Sequence, residues 1–86
     1  MSDNHNVCLK TEVAIESAAA VTGFIYRNYD LKKIDYPQDI AEIYERNLQY
    51  EQNLLPFKSE QELDTILAAI KADNEYVKEH TPQPHS

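Results

Sequence analysis

Residues 11–28 read TEVAIESAAAVTGFIYRN, and this stretch decides the fold. On a helix with about 100° per residue its apolar side chains cover most of the circumference, and only Glu12, Glu16, Gly23 and Arg27 form a clear polar strip. One neighbour cannot bury so much apolar surface. We therefore predict that this helix is the centre of the fold, between two helices of its own chain or against a second copy.

The same stretch suggests how two copies would meet. The run Ala18-Ala19-Ala20 has small side chains that leave no ridge to hold a facing helix away, so a second backbone can approach closely. We predict a homodimer packed through this first helix. The expected interface residues are Ala14, Ile15, Ala18, Ala19, Val21, Ile25 and Tyr26.

The limits of the first helix follow from its flanks. Thr11 is the predicted N-cap, because its hydroxyl can accept a hydrogen bond from the first turn, and Glu12 suits the positive end of the helix dipole. Residues 1–10 show no sustained period and are predicted to be a flexible arm, with a short leading turn that starts at Asn6 as the alternative. The helix is expected to end near residue 28, ahead of a connector that contains Asp30 and Asp35 and is predicted to bury Leu31 and Ile34 beneath it.

Two further helices complete an all-α, three-helix bundle with one domain over residues 11–80. Pro37 fits the first turn of a helix over residues 37–54. Ser59 and Glu62 have the spacing of a capping box, which predicts a one-sided amphipathic helix over residues 59–80. The segment 81–86 has two prolines and no apolar residue, so it is predicted to be a disordered tail.

Composition limits the partners. The 86 residues include 15 acidic and 8 basic side chains, a net charge of −7, which repels nucleic acids and anionic membranes and favours a partner protein with a basic surface. Cys8 is the only cysteine, so no intrachain disulfide can form and the reducing cytoplasm is the expected location. No apolar run approaches the roughly 20 residues that span a bilayer, and the N-terminus lacks the pattern of a signal peptide.

No catalytic or cofactor-binding pattern stands out. The soft metal ligands are His5, Cys8, His80 and His85, and they lack the paired spacing of a zinc site, so no metal is predicted. The single glycine excludes a glycine-rich phosphate loop. No Ser, Cys or Thr has a recognisable base beside it, and we expect a protein that is not an enzyme and holds no cofactor.

The six tyrosines offer the sharpest functional hypothesis. Tyrosine gives contact area at low entropic cost, so a recognition surface around the second helix is one interpretation and a rim around a small core is the other. Asn47 and Glu51 interrupt the apolar face of that helix, either as solvated edge residues or as polar contacts that fix the register of an interface. Glu45 lies away from the predicted helix ends, so a favourable interaction with the helix dipole does not explain its carboxylate. The candidate protein-binding residues are Tyr29, Tyr36, Tyr44, Glu45, Asn47, Tyr50 and Glu51.

These observations favour a small acidic protein-binding module, such as an inhibitor, an immunity or antitoxin-type partner, or an adaptor, that occludes a basic surface of another protein. The alternative class is a self-associating structural or accessory helical protein. A nucleic-acid mimic is a weaker third hypothesis, because many of the carboxylates already suit the first turns of helices.

Overall fold

The computed structural model describes residues 2–53 and 59–81, with the side chains described from Asn6 onward. Helix α1 spans Ser2–Ile25 and continues into a π-helical turn at Tyr26–Asp30. Helix α2 spans Gln38–Asn53 and helix α3 spans Glu60–His80. The described residues contain no strand, and the predicted all-α three-helix bundle is confirmed.

Helix α1 is the centre of the bundle, because α2 and α3 both pack mainly against it and touch each other much less. Its inward face consists of Ala14, Ala18, Val21 and Ile25, all at most 1% exposed. The alanines let both neighbours come close to the α1 backbone. Of the two arrangements predicted for this helix, burial between two helices of its own chain is the one found. The other buried apolar side chains are Tyr29, Ile40, Ile43, Leu63, Ile70 and Val77.

The start of α1 differs from the prediction. The helix begins at Ser2, so residues 2–10, predicted to be a flexible arm, form its first turns. Thr11 is not an N-cap, because its hydroxyl donates to the carbonyl oxygen of Val7 at 2.7 Å, one helical turn back. Two contacts hold this part of the helix: Val7 packs against the core, and Lys10 bonds to side chains at the start of α3.

The end of α1 is a π-helical turn followed by a Schellman motif. The Leu31 amide donates to the Tyr26 carbonyl oxygen at 3.0 Å, five residues back. The Ile34 amide then donates to Tyr29 at 2.8 Å and the Lys33 amide to Asp30 at 3.0 Å. Lys33 has φ 59°, the left-handed conformation that glycine usually provides at this position. The helical segment therefore ends at Asp30, two residues beyond the predicted end.

The capping box at the start of α3 is confirmed. The Ser59 hydroxyl accepts from the Glu62 amide at 3.1 Å, and the Glu62 carboxylate accepts from the Ser59 amide at 2.8 Å. These two bonds satisfy backbone donors that the first turn of a helix leaves open. The observed helix Glu60–His80, with Ser59 as its N-cap, lies within one residue of the predicted helix over residues 59–80.

The remaining boundaries lie close to the predicted ones. Helix α2 begins one residue after Pro37, whose carbonyl oxygen accepts from the Ala41 amide at 2.9 Å. The predicted end of α2 at residue 54 lies outside the described residues, as does the tail from residue 82 onward. Thr81, predicted to belong to that tail, is buried, and its hydroxyl is 3.0 Å from the Tyr29 hydroxyl.

Gly23 lies inside α1 without a conformational need for glycine. A β-carbon there would meet only the guanidinium of Arg27, at 3.2 Å, which is the far end of a flexible side chain. Because glycine costs about 1 kcal/mol relative to alanine inside a helix, Gly23→Ala should raise the free energy of unfolding by about that amount. Urea unfolding followed by circular dichroism measures it. Ala20→Gly, on the same exposed side of α1, should lower the free energy of unfolding by a similar amount, and a loss of stability in Gly23→Ala would contradict the expectation.

Candidate interaction surfaces

Three tyrosines, Tyr29, Tyr36 and Tyr44, form a ladder at the end of the bundle where the connector joins α1 to α2. The rings of Tyr29 and Tyr36 are 5.6 Å apart and those of Tyr36 and Tyr44 are 5.4 Å apart, both edge to face. Such pairs stabilise beyond the area they bury. Tyr29 is only 1% exposed, so it belongs to the core and not to a recognition surface.

The tyrosines outside this core position are partly accessible. Tyr36, Tyr44 and Tyr50 are half-buried and pack against the core. Tyr36 donates its hydroxyl to Asp30 at 2.8 Å, and burial together with this bond raises the pKa of its phenol. On α3, Tyr76 donates to Asp39 and stacks on His80 with the ring centroids 3.9 Å apart. Most of the tyrosines therefore line the edge of a small core.

The polar pair in α2 has an internal role. Asn47 is 0% exposed and donates to Asp73 of α3 at 3.0 Å and to the Ile43 carbonyl oxygen at 2.9 Å. Arg46 donates two bonds to the same carboxylate, at 2.8 and 3.0 Å. Asn47 is thus removed from the candidate recognition surface, because its amide is used to join α2 to α3. Glu51 is half-buried and accepts from the Thr22 hydroxyl at 3.0 Å.

The residues predicted for a homodimer interface lie mostly inside one chain. Ala14, Ala18, Val21 and Ile25 form the inward face of α1 and are not available to a second copy. Ile15 and Ala19 are half-buried along the edge of that face, while Tyr26 is exposed. A dimer built on the inward face of α1 is therefore ruled out in this fold, for the physical reason that α2 and α3 already cover it.

The outward faces of the helices contain the accessible residues. On α2 the spacing of 4, 3, 4 and 3 residues places one row of side chains on the face away from the core, and all of them are exposed: Gln38, Glu42, Glu45, Gln49 and Gln52. On α1 the face opposite Ala18 carries exposed Leu9, Val13, Glu16, Ala20 and Arg27.

The connector contributes exposed apolar surface, so the prediction that Leu31 and Ile34 are buried beneath it is wrong. Leu31 is 61% exposed and Ile34 is 43% exposed. Both lie beside Lys32 and Lys33, in a segment from residue 26 to residue 37 where three basic residues outnumber two acidic ones. The apolar content of this segment does not indicate that its side chains are exposed.

A surface groove of about 330 Å³ lies between α1 and α3, lined by Ser17, Ala20, Leu67, Ile70, Lys71 and Asn74. Within the described residues no group of three or more His, Cys, Asp or Glu side chains is placed to hold a metal ion. None of the helices in that part of the chain combines the length and apolar character needed to cross a bilayer.

Comparison of the chain with protein-family models, with curated proteins and with solved structures finds no match.

The contact between Asp73 and α2 should dominate the polar contribution to stability. Asp73→Ala would leave the buried Asn47 amide and the Arg46 guanidinium without their shared acceptor, so the free energy of unfolding should fall by about 2–3 kcal/mol. Asp64→Ala is the matched control, because this exposed carboxylate only shares Lys10 with Glu60, and its loss should cost less than about 0.5 kcal/mol. Equal losses in urea unfolding of the two variants would contradict this account.

The raised pKa of Tyr36 has a measurable sign. Its neutral form is favoured in the folded chain, so the contribution to stability is complete below the ordinary tyrosine pKa of about 10 and is lost as the pH rises further. In a titration followed by tyrosinate absorbance, Tyr36→Phe should remove amplitude that appears above about pH 10. In the denatured chain, Tyr36→Phe should instead remove tyrosinate absorbance that appears at the ordinary tyrosine pKa. If the folded chain also lost absorbance at the ordinary pKa, burial and Asp30 would not raise the pKa of Tyr36.

Proposed function

We propose that this chain is a small protein-binding module that acts in the cytoplasm by covering a basic surface of a partner protein. The observation that carries the proposal is the outward face of α2, formed by exposed Gln38, Glu42, Glu45, Gln49 and Gln52. Every side chain in this row is a carboxylate or a neutral amide, and a surface of this kind complements a row of lysine or arginine side chains.

Charge supports the choice of this helix. Helix α2 contains four carboxylates and one arginine, and that arginine, Arg46, is held by Asp73 of α3. Glu45 makes no ion pair within the described residues, and Glu42 accepts only a 3.4 Å bond from Gln38. Both carboxylates are therefore accessible to cations of another molecule.

The tyrosines beside this row add contact area. Tyr44 lies along one side of the outward face of α2 and Tyr50 along the other, and both rings are half-buried against the core. A ring that is already held on one side loses little entropy when a partner covers its exposed edge. The site that we propose therefore consists of Glu42, Glu45 and the accessible edges of Tyr44 and Tyr50.

The competing proposals have less support. A nucleic-acid mimic needs carboxylates in rows that imitate phosphates, whereas the exposed acids outside internal contacts are spread over three helices, as Glu12, Glu45 and Glu79 illustrate. A catalytic role has no constellation to support it. The exposed thiol of Cys8 suits a reducing compartment, which favours the cytoplasm.

The test is capture of a partner from an extract of the native host with three forms of the chain: wild type, Glu42→Gln/Glu45→Gln, and Glu75→Gln/Glu79→Gln. The two double variants remove the same charge from different helices. We expect a captured protein whose recovery falls at least about tenfold with the α2 variant at low salt and is unchanged with the α3 variant.

Recovery should also fall as salt is added to the wild-type complex, because the contact depends on exposed charges. Recovery of the bait alone, or equal recovery with both double variants, would contradict the proposal. A captured nuclease or polymerase would favour the nucleic-acid mimic instead.

A further inference from the structure

We propose that two copies of the chain associate in antiparallel orientation through the outward face of α1. This face, the outward ridge, consists of Leu9, Val13, Glu16, Ala20, Gly23 and Arg27, opposite the buried Ala18. The proposal does not depend on the function proposed for α2, whose outward face stays accessible. The partner is a second copy of this chain, and the reason lies in the order of side chains along the ridge.

The centre of the ridge has the same spacing in both directions. Glu16, Ala20, Gly23 and Arg27 follow one another at intervals of 4, 3 and 4 residues, so they lie on one side of the helix. If a second α1 lies antiparallel with a two-fold axis between residues 21 and 22, residue 16 faces residue 27 of the partner copy, and residue 20 faces residue 23. The same pairs recur on the other side of the axis.

Charge selects this orientation. Glu16 of each copy faces Arg27 of the partner copy, which gives two attractive pairs in one dimer. A parallel arrangement would place Glu16 beside Glu16, where like charges repel. Both side chains are exposed, and within the described residues neither makes an ion pair in its own chain. Lys10, the other cation of α1, is already held by Glu60 and Asp64.

The middle of the ridge permits a close approach. Ala20 would lie opposite Gly23 of the partner copy, so the two backbones can approach closely once the flexible Arg27 side chain, whose guanidinium lies beside Gly23, turns towards Glu16 of the partner copy. The two charged pairs lie farther out along the helices, where they stay in contact with water. Exposed pairs of this kind contribute little to affinity, and they act mainly on orientation and register.

Exposed apolar side chains near the ends of the ridge add contact area, which favours association more than the charged pairs do. Leu9 is 48% exposed and by this register lies level with Ile34 of the partner copy, which is 43% exposed. Val13 is 50% exposed and lies level with the exposed Asp30 of the partner copy. Phe24 is half-buried on the side of α1 that faces α3. By the same symmetry it lies level with residue 19 of the partner copy, beside the partner's groove of about 330 Å³ between α1 and α3.

A charge-swap series tests the contact by sedimentation equilibrium over a range of concentrations. The variants are Glu16→Arg, Arg27→Glu and the double variant, with Glu79→Arg on α3 as a control for the change in net charge. The wild type should form dimers. Each single reversal should weaken association at least about tenfold, because it places like charges opposite each other twice in every dimer. The double variant should return to within about threefold of the wild type, as expected for a direct pairing.

Mixing the two single variants adds a stricter criterion. Glu16→Arg has two positive ridge positions and Arg27→Glu has two negative ones, so an equimolar mixture should form heterodimers although each variant alone is mostly monomeric. Circular dichroism of every variant checks that the helices are intact. Glu79→Arg should associate like the wild type.

The native Cys8 thiol provides a measurement on the unsubstituted chain. Cys8 is exposed, and a spin label on it lies 13.5 residues from the proposed axis, so the two labels of a dimer should be about 40 Å apart along the helices. A parallel dimer would bring them within about 20 Å.

Each of four results would overturn the proposal. The first is a sedimentation mass of one chain at every concentration up to about 1 mM, which is well above the range in which a specific dimer forms. The second is a double variant that associates as weakly as the single variants, and the third is a mixture of the single variants without heterodimers. The fourth is a distance of about 20 Å between the two spin labels.

Discussion

The structure depends on the burial of one helix face made of small and branched side chains. Ala14 and Ala18 keep the α1 backbone accessible to both neighbours, and Val21 and Ile25 supply the apolar area. Complete burial of a branched aliphatic side chain stabilises a fold by roughly 1.5–3 kcal/mol, so a few such residues provide much of the stability available to a domain of this size. Because α2 and α3 both rest on α1 and hardly on each other, loss of this face would separate all three helices.

Side-chain hydrogen bonds join α2 directly to α3. Asp73 receives the Arg46 guanidinium and the Asn47 amide, and Asp39 receives the Tyr76 hydroxyl. Apolar contacts are tolerant of small shifts, whereas these bonds need particular distances and directions. The polar contacts therefore determine how the two outer helices are aligned along α1. The carbonyl oxygen of the Asn47 side chain has no hydrogen-bond partner within the described residues, which is a cost that this alignment outweighs.

Local patterns predicted the parts of the fold that local physics controls. The capping box of Ser59 and Glu62 and the one-sided pattern of α3 depend on residues three or four apart, and the sequence alone was enough to place them. The start of α1 was missed because threonine suits an N-cap and also bonds to the carbonyl oxygen of the preceding turn, as Thr11 does.

Contacts between distant residues were the main source of error. Tyr29 is buried in the core with its hydroxyl against Thr81, 52 residues away, and Asn47 is buried with its amide bonded to Asp73, 26 residues away. No periodicity within one helix records such pairings. The candidate tyrosine surface was therefore predicted too broadly. The polar strip of α1 was visible in the sequence, whereas the outward row of α2 became visible only when the positions of its neighbours were known.

The attachment of α3 at both of its ends has a consequence for hydrogen exchange. Lys10 binds Glu60 and Asp64 where α3 begins, and Tyr29 binds Thr81 where it finishes, across sequence separations of 50 to 54 residues. The two attachments differ in strength, because the ion pairs of Lys10 are exposed to solvent whereas the Tyr29–Thr81 contact is buried. Amide protons in the last turn of α3 should therefore be better protected from exchange than those of an ordinary fraying helix end, and better than those near Glu60.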